Sequence, residues 1–266
     1  MTLPFLDEES KGRQVYRYPG EYASSVWPGL TINAQERHVK ASVPSVATAI
    51  SSAVYGGGMV ELDRIFNIYV DKHYRCDDPP HDIQCLLREW KEREDACTGL
   101  LTAVRLEHTS IQEYANSDFG LLCCTTAGVS NAARAGSPRM VFDAMGNRTD
   151  AVQQLDGAYI PGTINMMLWL NGRLTNGAMV NAIQTAVEAK AAALADAGVR
   201  DSENGLTATG TTTDAIVLAV SQDQHNPILT YAGTATVLGS VIGRLVYDTI
   251  TESLQAGRQW SGRNNK

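Results

Sequence analysis

An alternating segment joined to an alanine-rich one constrains the fold of this chain more than any other feature. In TINMMLWLN (163–171) two sets of side chains alternate residue by residue, the pattern of a strand with one deep face and one mixed face. Asn165 and Asn171 share the mixed face. Residues 176–197 are rich in alanine, lack proline and close on Gly198, so they predict a long helix. The chain is therefore expected to layer helices on a sheet.

The other predicted elements interleave strands and helices without a strict strand-helix-strand repeat. Short turns join several neighbours and suit hairpins, so the sequence predicts an α/β fold, with α+β as the alternative, in which a mixed sheet is covered by helices. A purely parallel, doubly wound sheet is less favoured. A single domain is expected over residues 1–266, with loosely held ends at 1–25 and 259–266. The predicted strands are 43–54, 64–70, 100–108, 119–128, 214–220 and 228–233, the predicted helices are 79–94 and 237–254, and Gly56-Gly57-Gly58 forms a tight turn.

Charge and hydrophobic run length argue against several classes of partner. The chain has 22 Lys and Arg residues against 29 Asp and Glu residues, a net charge of −7, and no basic patch that could follow phosphates. Nucleic acid is therefore not expected as a partner. The first ten residues lack the pattern of a signal peptide, and the apolar runs are far shorter than the ~20 residues of a membrane helix. The sequence predicts a cytoplasmic protein with no membrane partner, and leaves a homo-oligomer open.

Cysteine and histidine spacing points away from disulfides and helical metal sites. The five cysteines, at 76, 85, 97, 123 and 124, include no C-x-x-C pair and are expected to be reduced thiols in the core. The five histidines are never three or four residues apart, which excludes a helical zinc pair. Neither a G-x-S-x-G elbow nor a P-loop motif occurs. No resident cofactor is expected, and the need for a metal ion stays open.

Small polar residues concentrate in four segments at predicted strand ends and turns, which are places that often carry function. The turn at 209–213 can offer backbone N–H groups to an oxyanion or phosphate, and Asp214 beside it can orient a hydroxyl or a water. On the predicted long helix, Thr185 and Glu188 share a face, whereas Lys190 points elsewhere. Capping and turn formation are the alternative for each segment. The four segments are Ser51-Ser52 with the glycine triplet, 125–131, 163–165 together with Asn171, and 207–214.

Seven segments, which keep their order and spacing from residue 45 to 254, together resemble the adenosylcobinamide amidohydrolase family. The most specific are AGVSNAARAG (127–136), TxxEAKAAAL (185–194) and TGTxTD (209–214). The resemblance implies hydrolysis of the amide that joins the aminopropanol arm to a propionate of the corrin ring. The implied products are adenosylcobyric acid and aminopropanol or its phosphate, in cobalamin salvage. A cobalt corrinoid would then be the small-molecule substrate, and no cofactor would be required.

The resemblance and the polar segments together define the candidate site. Amide hydrolysis needs an activated water or hydroxyl, donors for the oxyanion and an acid for the leaving amine. Glu188 and Asp214 are expected to line one cleft, where one of them polarises the attacking water, and Asn131 and Asn165 are expected to hold the substrate or the oxyanion. The candidate catalytic residues are Glu188, Asp214, Thr211 and Lys190, and the candidate substrate-binding residues are Ser52, Asn67, Asn131, Asn165, Asn171, Thr209 and Trp169.

One segment departs from the family pattern. Within YAGTATVLGSVIG (231–243), the family usually has a His where Ala235 stands and a Glu where Ser240 stands. A methyl group and a hydroxyl cannot exchange protons at neutral pH, so the departure implies slower hydrolysis of adenosylcobinamide. The alternatives are an amidase for a different bulky cofactor or metallophore amide, and a corrinoid-binding relative without turnover.

Overall fold

The chain adopts an α/β fold in which helices cover a mixed sheet. The computed structural model describes residues 2–9, 13–75, 77–139, 141 and 162–264. The helices are α1 (Pro79–Glu89), α2 (Asn176–Asp196) and α3 (Val237–Asn264), with a short 3₁₀ helix at Leu106–His108. The strands are β1 (Leu6–Glu9), β2 (Arg13–Tyr16), β3 (Gly20–Ala23), β4 (Thr31–Ala34), β5 (His38–Ser51), β6 (Gly58–Tyr69), β7 (Cys97–Thr102), β8 (Ser110–Ala115), β9 (Gly120–Ala127), β10 (Ala132–Ala133), β11 (Ile164–Asn171), β12 (Arg173–Leu174), β13 (Gly210–Thr211), β14 (Ala215–Val220) and β15 (Ile228–Leu229).

Within the described residues, nine strands form one curled sheet. Its main path runs β3-β4-β5-β14-β11-β9-β8, while β6 pairs with β5 and β7. The long strand β5 turns the sheet, because its register with β6 shifts between Ser42 and Ala47. The first part of β5 pairs with β4, and its last part pairs with β14. Parallel pairs (β6–β7 and β11–β14) occur beside antiparallel ones, so the mixed sheet is confirmed and a purely parallel sheet is wrong.

Strand β11 separates two cores. Met166, Leu168 and Leu170 face the first core, which α2 and α3 cover. Met167 and Trp169 face the second core, inside the curled sheet. Every residue of β11 except the last is buried, as expected for a strand covered on both faces. The alternation predicted from the sequence therefore divides the side chains of β11 between the two cores.

The helices begin close to where the sequence predicts them. The Thr175 hydroxyl caps α2 by accepting a hydrogen bond from the N–H of Ala178 at 3.2 Å. Helix α1 packs on β6 and β7 and ends at Glu89, five residues before the predicted end, because Lys91 has a left-handed φ of 58°. The strand predicted at 100–108 lies instead at Cys97–Thr102 as β7, with a 3₁₀ helix at Leu106–His108, and the strand predicted at 228–233 is shortened to β15. No helix in the described parts of the chain is both long and apolar enough to cross a membrane.

Two buried asparagines tie opposite walls of the curled sheet together. The amide of Asn67 donates to the Thr126 hydroxyl at 2.9 Å, and its carbonyl oxygen accepts from Asn165 Nδ2 at 2.8 Å. Asn165 Nδ2 also donates to the carbonyl oxygen of Leu101 at 2.9 Å. These bonds connect β6, β7, β9 and β11 across the interior. The two side chains therefore bond each other in the core, while Asn165 Oδ1 is buried without a hydrogen-bond partner.

Replacing Asn67 with alanine is expected to lower the free energy of unfolding by about 2–4 kcal/mol, because a donor and an acceptor lose their partners in the core. Urea denaturation measures this change. The control is Asn33→Ala, which removes one hydrogen bond from a half-buried side chain of β4 and should cost less than about 1 kcal/mol. Equal losses in the two variants would contradict a structural role for the asparagine pair.

Two observations concern the ends of the chain. Among the described residues before 26, Phe5 is fully buried, and β3 pairs with β4. At the other end, α3 continues through residues 259–264, which the sequence predicts to lie outside the helix.

Among the described cysteines, Cys97, Cys123 and Cys124 are free and buried as expected, but Cys85 is exposed on α1. Cys76 lies outside the described residues.

Candidate functional site

Three polar segments meet at one edge of the curled sheet. Strands β11 and β14 begin there side by side, with Asn165 opposite Ala215. Strand β9 ends there, with Ala127 opposite Ile164. The residues just outside these strand ends therefore come together, although they are far apart in the sequence. The three segments are 128–131, 162–163 and 209–214.

Asp214 is the centre of a hydrogen-bonded cluster at this edge. Its carboxylate accepts hydrogen bonds from the backbone N–H of Ile164 at 3.1 Å and of Thr211 at 3.0 Å. It also accepts from the Thr211 hydroxyl and forms an ion pair with Lys190 of α2. The side chains of Lys190 and Asp214 are only 9% and 12% exposed. We call Lys190, Thr211 and Asp214 the Asp214 cluster.

The Lys190 and Asp214 side chains approach the backbone of residue 210 so closely that only glycine fits there. A Cβ atom at this position would lie 2.5 Å from Asp214 Oδ2 and 2.7 Å from Lys190 Nζ. These distances are shorter than van der Waals contact, so any side chain here would displace the carboxylate, the ammonium group or both. The glycine of the Thr-Gly-Thr segment therefore leaves space for the ion pair, a purpose different from the anion-binding turn that the sequence suggested.

Hydroxyl and amide groups continue the site along the same edge. The Thr163 and Thr213 hydroxyls are 2.8 Å apart, and the Thr213 hydroxyl donates to the carbonyl oxygen of Gly162 at 2.7 Å. Asn131 Nδ2 donates to the Thr212 hydroxyl at 2.7 Å. The turn at 211–213 is thus held by side chains on both sides, while Thr212 and Thr213 remain exposed. The hydroxyl groups of these two threonines, beside Thr211, are accessible to a ligand.

One depression adjoins this edge, and a second lies beside the first. The first, which we call the strand-end cavity, has a volume of about 120 Å³ and is lined by Thr163, Asn165 and Thr213 among mainly apolar residues. The second, the α1 groove, has a volume of about 670 Å³ and lies between α1 and the chain that follows β6. Both are lined by Val70, Tyr74 and Leu101, so the two depressions are adjacent.

Several predicted site residues do meet at this edge. Lys190, Thr211 and Asp214 form the cluster, and Asn131 lies next to it. The Thr209 hydroxyl accepts a hydrogen bond from the N–H of Ala135 at 2.9 Å, which fixes the preceding turn. Ser52, just beyond the end of β5, is exposed and accepts from the N–H of Ile216 at 3.0 Å.

Other predicted site residues lie elsewhere. Glu188 is exposed on α2 and accepts from Gln184 at 3.1 Å, so the structure does not bring it to Asp214 in one cleft as expected. Trp169 is fully buried and packs on Trp27, which makes it part of the core rather than an open binding surface. Asn67 is also fully buried. Asn171 lies at the other end of β11, with its Nδ2 donating to the carbonyl oxygen of Val26 at 3.2 Å.

The two positions that depart from the family pattern are not members of the Asp214 cluster. Ala235 and Ser240 are exposed at the beginning of α3, where the Thr236 hydroxyl caps the helix by accepting from the N–H of Gly239 at 2.9 Å. Ser253 of the same helix bonds the N–H of Ala127 at the edge. At 1.5 Å per residue, Ser240 lies about 20 Å along the helix from Ser253. This placement does not support a proton-transfer role for positions 235 and 240 at the Asp214 cluster.

Sequence reasoning missed the residues that shape the space around the cluster. Gly210 was treated as part of an anion-binding turn, and Thr213, Tyr74 and Leu101 were not singled out. The repeated threonines at 211–213 were a signal for Thr213, since each hydroxyl of a turn needs a partner. Tyr74 and Leu101 carry no comparable signal, because only the tertiary structure brings them beside β11.

Histidine and metal chemistry are not apparent at this edge. Burial lowers the pKa of His38 and of His108 to about 4, so both imidazoles are neutral at physiological pH. Neither belongs to the Asp214 cluster. Among the residues that the structure describes, no three His, Cys, Asp or Glu side chains are grouped as a metal site would need. The titratable groups assembled here are a lysine and an aspartate, with a threonine hydroxyl between solvent and the carboxylate.

Comparison with known proteins points to one family. The sequence profile described as adenosylcobinamide amidohydrolase matches residues 25–262. A protein of Methanosarcina mazei named adenosylcobinamide amidohydrolase is 29% identical over 226 residues, which cover 82% of this chain and 92% of that protein. A protein of the same name from Halobacterium salinarum is 29% identical over 208 residues, 77% of this chain and 79% of its own length. An uncharacterised protein of Methanocaldococcus jannaschii is 31% identical over 161 residues, 58% of this chain and 61% of its own.

Proposed function

The chain belongs to the adenosylcobinamide amidohydrolase family, and from this premise we propose that it hydrolyses adenosylcobinamide at the edge that holds the Asp214 cluster. The bond cleaved is the amide between the aminopropanol arm and a corrin propionate. The products are adenosylcobyric acid and aminopropanol or its phosphate, in cytoplasmic salvage of cobalamin. Cobalt enters only as part of the substrate. The observation that carries the proposal is the hydroxyl of half-exposed Thr211 bonded to a nearly buried, lysine-paired carboxylate.

The hydrogen bonds of Asp214 favour Thr211 over a water as the attacking group. A carboxylate has about four acceptor positions, and Asp214 already accepts four hydrogen bonds. A water molecule therefore has no open position on this carboxylate. Two donors are backbone N–H groups, which keep their protons, and Lys190 is nearly buried. Thr211 remains as the half-exposed hydroxyl whose proton Asp214 can accept.

The reaction then proceeds in two balanced steps. In the first, Thr211 Oγ1 attacks the amide carbonyl carbon, its proton passes to the Asp214 and Lys190 pair, and the C–N bond breaks as the leaving amine takes up that proton. An ester between Thr211 and the corrin propionate remains. In the second step a water attacks this ester, which releases the carboxylic acid and returns the proton to Thr211. Lys190 holds the Asp214 carboxylate in place through the ion pair.

The exposed turn that follows Thr211 supports the developing oxyanion. Thr212 follows Thr211 in the chain and offers its backbone N–H as the donor. Asn131 fixes the Thr212 side chain. Asn131 therefore acts by positioning this turn. Asn165 contributes as the wall of the strand-end cavity, where its amide is fixed by Asn67 and Leu101. Preorganised donors of this kind account for much of the rate of acyl transfer.

The proposal is tested by incubating the purified protein with adenosylcobinamide and following adenosylcobyric acid and the released amine by mass spectrometry. Cobalamin and unrelated bulky amides, including a metallophore amide, serve as comparison substrates. Turnover of adenosylcobinamide that the Asp214→Asn variant lacks is the expected result. Binding without any product would instead assign a corrinoid-binding role, and hydrolysis of only the comparison amides would move the activity to a different substrate.

Replacing Gly210 with alanine is expected to lower kcat about 100-fold, because the new Cβ atom forces the Lys190 and Asp214 side chains apart. Displacing a catalytic group by about 1 Å typically has an effect of this size. The matched control is Gly243→Ala in α3, where a Cβ atom meets nothing within 4 Å. Steady-state kinetics of both variants check the prediction. A Gly210→Ala protein with unchanged kcat would show that the ion pair is not needed in its present geometry.

A further inference from the structure

We infer that the α1 groove holds the corrin macrocycle, and that the strand-end cavity admits only the side arm that carries the amide. This inference rests on the proposed function and adds where the body of the substrate binds. Nothing in the Asp214 cluster itself would recognise a large flat ring. The groove and the cavity together provide separate spaces for the two parts of such a molecule.

The volumes of the two depressions decide which part of the substrate each can take. Sites for drug-sized ligands have volumes of about 300–1,000 Å³. The cavity beside the cluster, at about 120 Å³, is too small for a tetrapyrrole-sized ring but large enough for a short amide arm. The α1 groove, at about 670 Å³, falls within the range. The macrocycle must therefore remain outside the cavity while the arm enters it.

The two spaces are neighbours that share one wall. Val70, Tyr74 and Leu101 line both of them. Leu101 is also the residue whose carbonyl oxygen accepts from Asn165 Nδ2, and Asn165 is two residues from Thr163 at the cluster edge. A ring in the groove would thus lie directly beside the entrance of the cavity. The inference requires the side arm to pass Val70, Tyr74 and Leu101 to reach the cavity.

The lining of the groove suits a flat ring with apolar faces and a polar rim. Val70, Leu86 and Leu101 supply aliphatic surface, and Tyr69 and Tyr74 supply aromatic rings. The Tyr74 hydroxyl donates to Asp82 at 2.5 Å, which fixes the phenol ring against α1. Arg37 and Asp71 add charged groups that can bond peripheral amides. Apolar contact would supply affinity, while these polar groups would set orientation.

The inference predicts that a charged residue in the groove weakens substrate binding without changing the chemistry. Leu86→Arg should raise KM for adenosylcobinamide at least 10-fold, raise Kd by a similar factor and leave kcat within about twofold, because binding lost equally in ground and transition states changes KM alone. The matched control is Gln84→Arg, since Gln84 is also half-buried on α1 but does not line the groove. Val70→Arg, at the shared wall, should reproduce the effect if Leu86→Arg folds poorly.

Equilibrium dialysis with adenosylcobinamide separates this inference from the proposed reaction. If the wild-type protein forms product but Leu86→Arg and Val70→Arg keep the wild-type KM and Kd, the groove is not the ring site and the inference is wrong. If the wild-type protein forms no product but binds the substrate, and both variants bind at least 10-fold more weakly, the reaction is wrong and the groove assignment is supported. An equal effect of Gln84→Arg would also overturn the inference.

Discussion

Replacing Thr211 with alanine is expected to lower kcat for hydrolysis of adenosylcobinamide by at least about 1,000-fold. Removing the nucleophile of an acyl-transfer site has effects of about 10³–10⁶ in kcat, because binding and oxyanion stabilisation alone remain. Asp214 still keeps three of its four hydrogen-bond donors in this variant, so the fold and the ion pair should survive. The comparison of kcat with the midpoint of urea denaturation checks both parts of the prediction.

Thr211→Ser is the matched control, because serine keeps the hydroxyl and removes only the methyl group. This variant should retain kcat within about 10-fold of the wild-type value. Rapid quenching with intact-protein mass spectrometry should also detect an ester adduct on wild-type protein that is absent from Thr211→Ala. A Thr211→Ala protein that stays within 10-fold of wild type would show that a water attacks directly and that Thr211 only orients Asp214.

The sequence predicted most of the fold because several patterns in it depend on local physics. The alternation in residues 163–171 gave both faces of β11, and the alanine-rich segment with its Thr175 cap gave α2. The curling of the sheet was not predictable in the same way. It depends on a register shift between Ser42 and Ala47 and on partners that β5 changes along its length. Neither property leaves a periodic signal.

The candidate site was predicted in part, and the errors have physical reasons. An alanine-rich helix shows little contrast between its faces, so the sequence did not reveal whether Glu188 or Lys190 would turn inward. These residues are two apart, about 200° around the helix, and only one of them can reach Asp214. The structure selects Lys190. Its charge is compensated by Asp214, whereas Glu188 remains in solvent beside Gln184.

Buried polar residues misled the sequence reading for a related reason. Asn67 and Asn171 are among the predicted substrate-binding residues, and both are asparagines of predicted strands. Inside a curled sheet, however, opposite strands come close enough for asparagines to bond each other, as Asn67 and Asn165 do. Only Asn165 of this pair also lines a cavity. To distinguish such a structural pair from a binding residue, one must know how close two strands lie that are far apart in the sequence.

Lys190→Met and Asp214→Asn are each expected to lower kcat by about 100- to 10,000-fold and the free energy of unfolding by about 3–5 kcal/mol. The loss of activity follows from removing either the group that accepts the Thr211 proton or the lysine that positions this group. The loss of stability follows because either change leaves one charge nearly buried without its partner. Steady-state kinetics and urea denaturation of each variant measure the two effects separately.

Combining the two substitutions should separate folding from chemistry. The double variant has no unpaired charge at this position. Its loss in free energy of unfolding should therefore be smaller than the sum of the two single losses by at least about 2 kcal/mol. Its kcat should stay as low as that of the worse single variant, because neither proton acceptor nor charge returns. Lys40→Met is the control, since it breaks the more exposed pair with Glu92, away from the site, and should leave kcat unchanged. If the double variant regained activity together with stability, the ion pair would be a structural element only, and the reaction would have to use other groups.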